Sequence, residues 1–392
     1  MTSSLPAPTP APNLVTPATW LLRGVAALLV LAVLWALDGF FSARIDAYHY
    51  EEWILMAGIA GILAASLNLI NGVTGQFSLG HAGFMAVGAY SSALFSKIAG
   101  PQLVLIDNVV FGIAILIGAL AAAFAGLLVG LPSLRLRGDY LAIATLGFGQ
   151  IIVSIAQNLN IIGGATGLIG IPKWTNGVWV GALLILCILS LRNIMRSQLG
   201  REMRAIRDDE IAAEASGINT TRVKVIAFVF SAAWAGVAGA LQAHLHQIAH
   251  PTDFGFVRSI EIVVMVVVGG LGSLTGSVCA AFLLTFLNQI LRDVSGATWV
   301  SFGVIALAAL LSFDTYKKKP HTSQTWILQW LFWPVLSGVG VALLLHFGVD
   351  LVQKYIGPLR TVIYSIILIV MMLLRPQGLL GRAEWSLKRR AK

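Results

Sequence analysis

REMRAIRDDEIAAEASG, residues Arg201–Gly217, is the longest run dense in charge in a chain that is otherwise nearly all apolar. It carries Arg201, Arg204 and Arg207, with Arg222 just beyond, and the acids Glu202, Asp208, Asp209, Glu210 and Glu214. Apolar segments long enough to span a bilayer flank it on both sides. Asp208, Asp209 and Glu210 stand together, as suits a first helical turn, where carboxylates meet the positive end of the helix dipole. Ala212, Ala213, Ala215 and Ser216 are small, and Gly217 suits the position just past a helix end. The stretch predicts a short surface helix with a smooth face, held at the membrane surface between two spanning helices. Charge alone does not separate it from a solvated helix that touches nothing.

The wider composition sets the class. Of 392 residues, 57% are hydrophobic and only 11% charged, whereas a soluble domain carries about 25% charged residues. A bilayer core of about 30 Å takes about 20 apolar residues per helix. The apolar segments here are continuous and rich in Ala, Leu, Ile and Gly. They lack the alternation of a membrane β-barrel, so the fold class is an all-α polytopic membrane protein. The net charge of +9 reads as the Lys/Arg excess of cytoplasmic loops. No basic run interleaved with aromatics points to nucleic acid. Cys187 and Cys279 lie within apolar segments and read as packing residues, not as a disulfide or metal site.

On the N-terminal side, residues 1–18 are Pro-, Thr- and Ala-rich, carry no charged side chain and read as a disordered tail. Spans are expected at Trp20–Phe41, Glu52–Ile70, Val109–Leu131, Tyr140–Leu159 and Val178–Met195. Between the second and third of these lies NGVTGQFSLGHAGFMAVGAYSSALF, Asn71–Phe95. Its start is too polar and too Gly-rich for a lipid-facing helix. Irregular backbone at membrane depth must be buried in protein or line a wet cavity, so a broken entry followed by a helix to about Lys97 is expected. A basic loop, PSLRLRGD, carries Arg135 and Arg137, and a Gly-rich loop runs from Gly163 to Trp174.

On the C-terminal side, Val223–Leu245 has the Ala/Gly spacing of tight helix contact. His250–Arg258 reads as a polar loop, and Ile260–Val268 is about half a membrane long. GGLGSLTG, Gly269–Gly276, breaks it, and Ser277–Leu291 returns. Both broken segments hold a Ser-Leu pair among glycines, Ser78-Leu79 and Ser273-Leu274. Corresponding broken segments in two halves point to a central pathway. Further spans are expected at Trp299–Phe313, Trp326–Phe347 and Thr361–Leu374, with a basic loop at Lys317–Lys319 and a basic C-terminus. Placing every basic loop inside orders these segments as twelve crossings, both termini cytoplasmic.

Chemistry-bearing motifs are sparse. There is no phosphate loop and no Gly-Lys pair, no His-Glu-x-x-His, no Cys-x-x-Cys and no Gly-x-Ser-x-Gly. Neither catalytic residues, nor a metal site, nor a cofactor is expected. Ionisable residues deep in spans are nearly absent, which speaks against a proton- or sodium-coupled carrier. Glu261 is the best candidate for such a role, against the plainer reading of an interface carboxylate. His81 reads either as packing or as a substrate contact. His244 and His246 do not share a helix face and make no metal site. A transporter without coupling groups, bearing a cytoplasmic helix with a smooth Ala-rich face, fits energy supplied by a partner. The other reading is a stand-alone ion-coupled transporter or channel for a small polar solute.

Five stretches then carry a resemblance: SLNLINGVTGQFSLGHAGFMAVGAY (66–90), LRLRGDYLAIATLGFGQII (134–152), GREMRAIRDDEIAAEASGINTTRVKVIAFVFSAAWAGVAGAL (200–241), RSIEIVVMVVVGGLGSLTG (258–276) and LRPQGLLG (374–381). The chain resembles permease subunits of the branched-chain amino-acid ABC importers, of the LivM type. The second stretch favours that type over its LivH-type sister. The resemblance implies a type II ABC-importer-like core of about ten helices, with residues 19–292 as the core and 356–392 as its last helix and a basic tail. Residues 293–355 would be an inserted pair of membrane helices. It implies a sister LivH-type permease, two cytoplasmic ATPase subunits, a periplasmic amino-acid-binding protein and a bacterial inner-membrane location. Arg201–Gly217 would be the coupling helix, with Arg204, Arg207, Asp208, Glu210, Ala213 and Gly217 engaging or shaping the ATPase contact. The pathway would be lined by Asn71, Gly75, Gln76, Ser78, Gly80 and His81 and by Gly269, Gly270, Gly272 and Ser273. Leucine, isoleucine and valine are the default substrates.

Overall fold

Residues 48–98, 107–133 and 139–292 are described by the computed structural model. The expected tail, the spans at Trp20–Phe41 and beyond Arg292, the 293–355 insertion and the basic clusters at Arg135–Arg137 and Lys317–Lys319 lie outside these residues. Ten α-helices are described: α1 Tyr48–Asn68, α2 His81–Ile98, α3 Asp107–Ser133, α4 Asp139–Asn158, α5 Gly177–Arg196, α6 Gln198–Asp208, α7 Glu210–Ala215, α8 Thr220–His246, α9 Phe256–Gly269 and α10 Leu274–Arg292. Among the described residues, five segments are long and apolar enough to cross a membrane: Glu51–Val73, Asp107–Pro132, Tyr140–Asn158, Gly177–Arg196 and Thr220–His246.

Two of these segments form the centre. The apolar stretch of α1 is 89% buried and that of α8 72%, against 22–33% for α3, α4 and α5. Small residues explain the position of α8. A Cβ on Gly239 would run into the backbone of Met85 in α2, and one on Gly236 into Gly118 and Ala122 of α3. Glycine lets these helix backbones approach where any side chain would hold them apart. Phe84 and Phe228 fill the adjoining space edge to face, with ring centroids 5.4 Å apart. On α3, by contrast, Leu116, Leu120, Phe124 and Leu128 recur every four residues and are exposed. That is an apolar stripe turned away from the core, as lipid or another membrane helix requires.

Helix α9 is longer than the expected half-span Ile260–Val268, because it begins at Phe256, inside the stretch expected as a polar loop. Its 14 residues rise about 21 Å, short of an apolar core of about 30 Å. The Gly-rich loop and the polar loop are more ordered than the sequence implies. Leu168 and Ile169 pair antiparallel with Ala249 and Ile248 as a two-residue ladder, and Pro251–Phe254 forms a 3-10 turn before α9. His244 is a packing residue at this end of α8. Its Nδ1 donates to Ala240 O at 2.8 Å, its Nε2 meets Ser96 Oγ at 2.8 Å, and the ring stacks on Trp174. Cys187 is buried as expected, but Cys279 is exposed on α10.

The largest departure falls in the opening stretch. Arg201–Gly217 is two helices, not one. The chain breaks at Asp209, which is extended (φ −160°, ψ 112°). Its carboxylate accepts the N–H groups of Ile211 and Ala212 at 2.9 and 3.0 Å. So Asp209 and Glu210 do open a helix, a second and shorter one, while Asp208 ends the first, because the Asp209 side chain caps the new helix with its own hydrogen bonds. The expected stop is where the sequence put it. Gly217 takes φ +84°, Ile218 N bonds Ala213 O, and Gly217 N bonds Glu214 O. This pair of bonds closes a helix end with a left-handed residue.

Candidate functional site

Both broken segments lie at the end of the bundle that carries α6 and α7. At the first, α1 widens into a π-turn at Leu69–Val73. Thr74 satisfies the widened end, its N–H and hydroxyl both donating to Leu69 O. Gly75 then turns with φ +75°, and the chain has no regular secondary structure until α2 begins at His81. Asn71 holds this run from within. Its Oδ1 accepts Ser78 N at 3.1 Å and its Nδ2 faces Ser78 O at 3.5 Å. Leu79 N donates to Thr145 Oγ1 on α4 at 3.1 Å. Gly80 lies against the Thr145 carbonyl, leaving no room for a Cβ.

The second break is a tight turn. Gly270 and Gly272 have φ +109° and +87°. Ser273 starts α10, its Oγ accepting Gly276 N at 3.2 Å. Gly269 packs on Gly276, so α9 and α10 leave the turn almost in contact.

The two breaks touch. Gly272 N donates to Asn68 Oδ1 at 2.9 Å, and a Cβ on Gly72 would run into both Asn68 Oδ1 and Gly272 N. Arg207, at the end of α6, lies over this junction. Its Nη1 donates to Gly72 O at 3.2 Å, while its Nη2 pairs with Asp208 at 3.2 Å. A Cβ on Gly75 would lie 2.6 Å from Arg207 Cγ, so glycine is needed there for both the φ and the contact. Segments of the chain 135 and 204 residues apart are thereby joined.

Polar groups at the first break are buried without partners. Gln76 has neither Nε2 nor Oε1 bonded; Ser78 Oγ, His81 Nδ1 and Asn68 Nδ2 are likewise unpartnered among the described residues. Gln76 is 6% exposed, and Ser78 and His81 are 1%. For His81 the roles follow from its neighbours. Ser66 Oγ donates to Leu63 O, so His81 Nε2–H donates to Ser66 Oγ at 2.9 Å and Nδ1 is a bare acceptor. Each unsatisfied buried group costs about 1–3 kcal/mol. Such a cluster at a helix break is where water or a polar solute gains most by entering.

The charged helices divide by face. Met203, Ile206 and Ala213 are buried against the chain's own core. Glu210 is committed to Lys224 at 2.7 Å, tying α7 to the second turn of α8. Arg204, Asp208 and Gly217 face outward, and Ile211 is 69% exposed beside them. The sequence reading passed over Ile211, although a lone large apolar residue in a charged stretch marks it. It also passed over Asn68, legible as an Asn one helical turn before Asn71 inside an apolar span. Thr145 was not legible, since only the tertiary packing of α4 brings it to Leu79.

Comparison with known proteins gives a consistent result. A family model described as the permease component of branched-chain amino acid transport systems matches residues 49–313. The high-affinity branched-chain amino acid transport system permease protein LivM of Salmonella typhimurium is 34% identical over 320 residues, covering 73% of this chain and 72% of the relative. The corresponding LivH protein is 25% identical over 288 residues, covering 66% and 91%. A probable LivM of Methanocaldococcus jannaschii is 29% identical over 264 residues, covering 62% and 71%. No solved structure matches. A multi-pass helical chain with its breaks gathered under a charged helix pair, and with this degree of similarity, belongs to the LivM-type permeases of the branched-chain amino-acid transport family.

Proposed function

We propose that the chain is one permease half of an ATP-driven importer of branched-chain or related amino acids in a bacterial inner membrane. Its partners in this reading are a LivH-type sister permease, two cytoplasmic ATPases and a periplasmic amino-acid-binding protein. The relatives' printed functions support the substrate class. The observation that carries the mechanism is the junction itself: unpartnered buried polar groups at a helix break, roofed by Arg207 from the charged helix pair.

In this reading α6 and α7 take the thrust of the ATPases. Exposed Ile211 and Arg204 meet the ATPase surface, while Met203, Ile206 and Ala213 seat the pair on the permease core. Arg207 passes the motion to Gly72, and Asn68 passes it on to Gly272. Opening the two breaks exposes Gln76, Ser78 and His81 to a passing zwitterion, which also meets backbone groups freed at the breaks. Packed elements with two discrete arrangements transmit such motions; continuously soft ones do not.

Two experiments test this. Alanine at Gln76, Ser78 and His81 is expected to lower amino-acid uptake by the reconstituted importer; unchanged rate and affinity at all three would remove them from the pathway. Tagged chain purified from its native membrane is expected to bring down two ATPases and a second permease. Ile211→Glu should lose the ATPases and keep the second permease. Purification of the wild-type chain alone would refute the importer reading.

A further inference from the structure

At the end of the bundle opposite α6 and α7, a cleft of about 600 Å³ opens between α1, α8, α9 and α10. That volume lies within the range of small-molecule sites. Its floor is apolar and buried: Ile59, Met265 and Leu284. Its mouth carries charge of both signs. Arg258 Nη1 donates to Glu261 Oε2 at 3.0 Å, and Asp253 lines the same wall. Arg258 Nε is buried and has no partner among the described residues, so the guanidinium is not fully used by Glu261.

We propose that this cleft is a receiving site for a small free zwitterion with an apolar side chain, an α-amino acid of the leucine kind. The α-carboxylate takes the guanidinium of Arg258 in place of part of its bond to Glu261. The ammonium takes Glu261 and Asp253. The aliphatic side chain lies on Ile59, Met265 and Leu284. An Arg–carboxylate pair at i, i+3 on an exposed helix surface is ordinary. Here, however, the pair stands at the mouth of an apolar cleft, and polar groups over an apolar floor are the complement of such a ligand. The sequence reading weighed Glu261 as a coupling carboxylate or an interface residue. The cleft gives it a third role, holding the ligand's positive end. The proposal deepens the permease reading and rests on it for direction, since the end opposite the charged helices is then the outer one.

The test uses the full chain in its native membrane, with Cys187→Ala and Cys279→Ser and a single new thiol. Val257→Cys is chosen because Val257 lines the cleft and is exposed; Thr252→Cys, on the same rim, is the second reporter. A membrane-impermeant maleimide is expected to label both from the outer face. Leucine at twice its dissociation constant should slow labelling about threefold, as occupancy scales with 1 + [L]/Kd. Isocaproate, lacking the ammonium, and isoamylamine, lacking the carboxylate, should protect far less. Arg258→Gln should abolish protection while leaving unprotected labelling unchanged. Labelling without protection by leucine, or equal protection by isocaproate, overturns the zwitterion site and leaves the permease reading standing. Leucine protection with labelling only from the inner face leaves the site standing and overturns the orientation. Failure of both thiols to react from either face overturns the open cleft.

Discussion

The two glycine-broken segments share composition and location, yet unmet buried polar side chains gather at the first, where Gln76, Ser78 and His81 lack partners, while at the second Thr275 alone among the described residues does. At 269–276 the turn meets its backbone needs, with only Thr275 Oγ1 buried and unpartnered: Gly270 and Gly272 supply the positive φ values, Ser273 caps α10, and Ser277 Oγ returns to Ser273 O. At 69–80 the helix widens, the chain leaves regular structure, and Gln76 and Ser78 side chains are buried without partners. Ser78 and Ser273 occupy matching Ser-Leu pairs but do different work. Ser273 ends its break by starting a helix, while Ser78 stands three residues before α2 with its hydroxyl unpartnered. The more buried polar groups a segment leaves unmet, the more it gains by changing its contacts.

The contrast can be broken most severely at Gly72, where the segments touch. Gly72→Ala overpacks the junction and displaces the Asn68–Gly272 bond. The expected loss is about 3 kcal/mol, combining overpacking with a lost hydrogen bond. It is read as a fall in Tm of the detergent-solubilised chain. Gly272→Ala has more room, since the nearest foreign atom to a Cβ is Gly72 O at 3.3 Å. There the main cost is the left-handed backbone, about 1–2 kcal/mol, with a small adjustment of Gly72 O. If the two variants melt together, the steric account of the junction fails.

Arg207→Ala should act on transmission more than on folding. Its bond to Gly72 O is charge-assisted, worth about 1.5–3 kcal/mol at most and less here because the side chain is partly exposed. Uptake per ATP hydrolysed is expected to fall about tenfold, the effect of about 1.4 kcal/mol, with ATP hydrolysis retained. Arg207→Lys should recover part of it. Parallel loss of hydrolysis and uptake would assign Arg207 to ATPase docking instead.

The smallest and sharpest effects separate the two breaks directly. Gln76→Met removes two unpartnered polar atoms, so the chain should gain about 1 kcal/mol in stability while uptake falls. Ser273→Ala removes a cap, so stability should drop about 1 kcal/mol with uptake preserved. Opposite signs on stability, with uptake lost in one variant and kept in the other, would mark one segment as serving transport and the other shape.

The chain's own residue order determined a good deal. Long apolar runs cannot leave backbone groups unpaired in lipid, so their helical state was legible. The end of α9 at Gly269, the break before His81 and the stop at Gly217 follow from Gly, Asn and Ser chemistry that acts within a few residues. The split at Asp209 was missed because an N-cap and a first-turn carboxylate look alike in sequence, and only the extended backbone distinguishes them. Tertiary structure alone decided which polar residues meet. The resemblance places Arg207 in the coupling helix, and only the fold brings its side chain to Gly72. Ala213 was read as part of a docking face, yet it is buried. Local chemistry is written in neighbouring residues; a contact across 135 or 204 positions depends on how whole helices pack, and glycine spacing says only that they come close, not which groups they bring together.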